Sequence, residues 1–130
     1  MARRADERVL ARIAQPPLGR AAREIGGIER RTFDRAGIER NIVRCPDPVA
    51  AAAMVEAILA AKEEFDSLGG VVEVRGVNVP PGLGEPTFDR LDALIAQAML
   101  SIPATKGVEI GEGFATARSR GYWPSTWRAA

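Results

Sequence analysis

Histidine is missing from all 130 residues of the chain, and with it the side chain that most readily exchanges a proton near neutral pH. Proton chemistry would then fall to carboxylates, a lysine, a tyrosine or a bound cofactor. Cysteine occurs once, at Cys45, which excludes an internal disulfide and a thiolate metal cluster. With no histidine to activate it as a nucleophile, Cys45 reads as a small, half-buried apolar side chain. No apolar run approaches the roughly 18 residues that a membrane span requires, and the arginine-rich start lacks the apolar segment of a secretory signal. The expectation is a cytoplasmic protein with one domain's worth of chain.

The charge that is present is unevenly spread. Residues 1–44 hold eleven arginines against six acids, whereas residues 45–130 hold seven basic residues against eleven acidic ones. A basic third of this kind could meet RNA or a phosphate ligand. Its arginines, however, are interleaved with Glu24, Glu29, Asp34 and Glu39, and Phe33 is the only aromatic among them. Without an aromatic ladder, the pattern predicts a solvated, ion-paired face and no nucleic-acid partner.

Periodicity marks out an α/β (α+β) chain. Residues 4–14 place Val9, Leu10 and Ile13 on one helical stripe, which Pro16-Pro17 stops. Glycines and isolated apolar residues then predict a short strand near 26–29, followed by turns. Asp47 before Pro48 reads as an N-cap with proline at the first helical position. That helix is predicted over 49–65, with Val55, Ile58, Leu59 and Lys62 on its buried face and Gly69-Gly70 closing it. The period then changes to two. Val72 and Val74 face one way, Glu73 and Arg75 the other, and a bulge at Gly76 resets the phase before Pro80-Pro81. A second helix over 87–100 aligns Phe88, Leu91, Ile95, Ala98 and Met99, with Asp89 in its first turn. Val108 and Ile110 predict a further strand. Tyr122, Trp123 and Trp127 lie in a tail without a period.

Two kinds of motif invite a chemical reading. Gly82-Leu83-Gly84-Glu85-Pro86-Thr87 follows a strand and opens a helix, as a dinucleotide-binding loop would. But Thr87 replaces the third glycine, Glu85 sets a carboxylate against a pyrophosphate, and Pro80-Pro81 removes two backbone donors. A structural turn explains these residues better. Carboxylates pair at Glu63-Glu64, Asp89/Asp92 and Glu109/Glu112. None has a third converging ligand, so no metal site is expected.

A longer pattern overlaps these motifs. Pro81-Gly82-Leu83-Gly84-Glu85-Pro86, then Asp89-Arg90-Leu91-Asp92-Ala93, then Ser101-Ile102-Pro103-Ala104-Thr105-Lys106-Gly107-Val108-Glu109-Ile110-Gly111-Glu112-Gly113-Phe114 occur in this order. Cys45-Pro46-Asp47-Pro48 and Asp66-Ser67-Leu68-Gly69-Gly70 lie upstream. The whole resembles the central segment of the chorismate synthase family, over about residues 25–120. Residues 1–24, a basic segment, and the tail 121–130 are left unplaced.

The resemblance implies a sandwich with helices layered against β-sheet, a homotetramer, and a small-molecule phosphate substrate. It implies conversion of 5-enolpyruvylshikimate 3-phosphate to chorismate and phosphate with reduced FMN. In the family, the Ile-x-Ala-x-Lys turn touches the flavin, which assigns cofactor contacts to Pro103 and Ala104. The family motifs that carry its catalytic histidines are absent, so no catalytic residue is assigned. A truncated or rearranged member, inactive alone, is the expectation; the alternative is a non-enzymatic oligomerising or binding module on the same core.

Overall fold

Backbone hydrogen bonding in the computed structural model, which describes residues 19–77 and 79–120, begins with a strand that periodicity does not predict. Strand β1 spans Gly19–Ile25, turns through Gly26-Gly27 and returns as β2, Ile28–Glu29. Both turn glycines have positive φ, 59° and 80°, which suits a two-residue hairpin loop of the type that follows strand twist. Of the short strand expected near 26–29, only Ile28–Glu29 pairs, as the far end of a hairpin, and Gly26-Gly27 form its turn instead. The helix expected at 4–14 and the aromatic tail lie outside the described residues. The chain divides into two compact units, Met1–Val79 and Pro80–Ala130.

In the first unit β1 is central, flanked antiparallel by β2 and by β3, Gly70–Arg75. The register against β3 shifts between Ala22 and Glu24, which face Val72 and Val71. The irregularity therefore lies at Arg23 and not at Gly76, beyond the end of β3. The Arg23 carbonyl accepts the N–H of Arg30 at 3.0 Å. Ala21 and Ala22 are both buried. Successive strand residues point to opposite faces, so the sheet is covered on both sides at its middle, and only small side chains fit.

Helix α1, Pro48–Glu63, packs on one of those faces. Asp47 caps it, accepting the N–H groups of Val49 at 3.0 Å and Ala50 at 3.2 Å, and Pro48 takes the first position as its sequence predicts. The core joins Ala22, Cys45, Ala50, Ala51 and Met54, with Ile25, Ile28 and Val43 at its margin. This corrects the expected stripe: the buried face runs through Ala50, Ala51 and Met54, while Ile58 and Leu59 are exposed. Small alanines let the helix approach the sheet closely, and Met54 and Cys45 fill the core beside them. The helix ends at Glu63, before Gly69-Gly70. Phe65 adopts φ 56°, donating to Lys62 at 3.1 Å while Asp66 donates to Ala61 at 2.8 Å. That pair of bonds is a Schellman closure built on phenylalanine instead of glycine.

A 3-10 helix at Arg35–Arg40, capped by Asp34, leads toward Cys45. Asn41 secures this path. Its amide donates to the carbonyls of Gly37 at 3.0 Å and Cys45 at 2.8 Å, and its oxygen accepts the N–H of Cys45 at 3.0 Å.

The second unit holds α2, Leu91–Leu100, and a 3-10 helix at Gly113–Arg118. The expected helix start at 87 is displaced because residues 84–90 close on themselves: the N–H of Glu85 reaches the Asp89 carbonyl at 2.8 Å, and Gly84 bridges Arg90. Phe88 and Asp89 consequently precede the helix, and Asp92 is the acid of its first turn. Val108 and Ile110 form no strand, since this unit offers them no neighbouring strand among the described residues. The α+β class holds.

Candidate functional site

The turn that follows α2 carries the two residues singled out for cofactor contact. Leu100 ends the helix, and Ser101 folds back, its N–H on Gln97 at 3.1 Å and its hydroxyl on the Ala98 carbonyl at 2.6 Å. Thr105 then donates to Ile102 at 3.2 Å, closing a four-residue turn with Pro103 and Ala104 at its two central positions. Ala104 has φ 68°. Proline followed by a residue of positive φ is the pattern of a type II turn, whose second central position favours glycine. A methyl group is a small intrusion there, and the turn presents both residues to solvent.

The surroundings decide how much of a cofactor such a turn could hold. No described residue from 80 to 120 is buried, whereas cofactor sites enclose most of their ligand. Arg90 is engaged with Asp92 at 3.5 Å. The turn fits one edge of a planar ring; the described residues of this unit do not fit the enclosure that a whole flavin with its phosphate requires. No reaction step is therefore assigned through it.

The remaining motifs resolve into local structure. Gly84 lies so close to the start of α2 that a Cβ there would stand 2.6 Å from the Leu91 nitrogen. The glycine is needed for this approach, and the Glu85 N–H that a phosphate would use is spent on Asp89. Glu109 tucks beneath Gly113, where a Cβ would meet its carboxyl carbon at 2.5 Å, and it accepts the Phe114 N–H at 3.4 Å. Among the described residues no three potential ligands of the His, Cys, Asp or Glu type converge on one point.

The first unit concentrates its electrostatics on two carboxylates that spacing alone does not reveal. Asp47 accepts four backbone N–H groups. Besides its helix cap, it takes Arg31 at 2.9 Å and Thr32 at 3.1 Å. The Arg31 N–H foremost, then those of Ala50 and Thr32, hold its carboxyl well below the usual carboxylate range, against the opposing pull of burial. Glu73 lies on the opposite sheet face, paired with Arg30 and Arg75. Burial pulls its carboxyl upward, but the two guanidinium groups outweigh that pull and keep it lowered. The same arginines lie over the Phe33 ring, 4.7 Å and 4.3 Å from its centre. Arg23 pairs with Glu29 and Arg44 with Glu39, so arginines of the basic segment are neutralised by acids nearby in sequence. Asp47 and Asn41 act in shaping the fold.

A sequence model of the family described as chorismate synthase matches residues 2–124. The chain belongs to the chorismate synthase family. The match reaches beyond the 25–120 stretch and takes in most of the basic N-terminal segment. The chorismate synthase of Chloroflexus aurantiacus is 60% identical over 98 residues, covering 75% of this chain and 27% of that protein. That of a Synechococcus species is 65% identical over 78 residues, 60% of this chain and 21% of its own. The Methanosarcina mazei protein is 53% identical over 102 residues, 75% of this chain and 28% of its own. A crystal structure of a chorismate synthase superposes with a TM-score of 0.70 at 38% identity, over 80% of this chain and 36% of that one. The chain thus spans about a quarter of the length of the curated relatives it matches.

Proposed function

We propose that these residues supply one part of a chorismate synthase, the enzyme that releases phosphate from 5-enolpyruvylshikimate 3-phosphate with reduced FMN, and that they do not sustain turnover alone. The observation that carries this reading is the open Pro103–Ala104 turn, set in a family segment within a chain that has no histidine. Reduced FMN, when bound, supplies electron density to the eliminating substrate. Pro103 would stiffen the edge that meets the ring, and the short Ala104 would let backbone approach it. The protons of the reaction need partners from other family segments. A cytoplasmic location and assembly with further copies belong to the same proposal.

Phosphate release tests it directly. The purified chain with reduced FMN and substrate is expected to give none above background, and flavin-dependent turnover would overturn the reading. Flavin fluorescence should show no saturation in the low-micromolar range, which would correspond to about 8 kcal/mol of binding. The exposed face of α2 also supports the second reading, an oligomerising module without catalysis. Adding the rest of a family member as a second polypeptide separates the two, because only the first reading expects activity to appear.

A further inference from the structure

We draw no further inference here: the strongest candidate, the apolar groove of the first unit between β1, β3 and the end of α1, is an unpartnered face and nothing in the structure shows what covers it.

Discussion

The Asp47 carboxylate accepts the backbone N–H of Arg31 at 2.9 Å, across sixteen residues of chain. Its other oxygen caps α1, so one side chain fixes both the helix start and the segment that leaves the hairpin. Asp47→Ala removes both roles and should lower the melting temperature by roughly 5–15 °C. Asp47→Asn keeps an acceptor without the charge and should cost less. Thermal melts followed by circular dichroism check the order; a melting point unchanged in both variants would show that the tether contributes nothing.

Acid should weaken the first unit for the same reason. Asp47 and Glu73 both titrate lower in the folded chain than in the unfolded one. A lowered folded value means that the unfolded state takes up protons first, so their stabilisation is complete above the ordinary carboxylate range and fades as pH falls through it. Melting points should hold through neutral pH and drop below about pH 4. In an Asp47→Asn, Glu73→Gln double variant the drop should be shallower. An equally steep drop in that variant would place the acid sensitivity elsewhere.

Phe65 sits in a left-handed conformation that glycine adopts without steric cost, and its ring is fully exposed. Phe65→Gly therefore loses little packing against the described residues and relieves the closure of α1. Stability should rise by about 0.5–1 kcal/mol in urea unfolding. A loss of stability would mean that the ring is covered in solution.

Apolar side chains on α1 and α2 remain open to water: Leu59 is 55% exposed, and Leu94 and Ile95 are each 38% exposed. Burying a fully exposed side chain of this kind is worth roughly 1.5–3 kcal/mol, so covering the share still wet contributes about 0.5–1.5 kcal/mol at each. The chain alone should therefore bind a hydrophobic dye and run larger than its 13.9 kDa in light scattering. Ile95→Asp should reduce both signals without unfolding the first unit. A dye-negative monomer, indifferent to that substitution, would show that these faces drive no association.

Features encoded by neighbours in sequence were legible. Asp47-Pro48 announces a helix start because a cap and its proline act within one turn. Features that depend on distant partners were not. Ala21 and Ala22 look featureless until the sheet is seen to be covered on both faces. Val108 and Ile110 alternate like a strand but have no neighbouring strand among the described residues. The start of α2 moves to Leu91 through a bond between Glu85 and Asp89, which periodicity does not register. Ile58 and Leu59 reverse the expected helix face because α1 meets the sheet through its alanines. The candidate turn was found through the family pattern; its left-handed Ala104 was not foreseeable, since alanine seldom takes that conformation.

Cys45 has no exposed surface and shares the core with Ala22 and Met54. As the only thiol, it makes chemical labelling a gauge of how often that core opens. A thiol reagent must wait for the Asn41 bonds to release and the surrounding alanines to part, so its rate divided by that of a short unfolded peptide gives the fraction of time spent open. Because no cysteine occurs beyond Val79, the labelling would follow the first unit alone, with the second chemically silent.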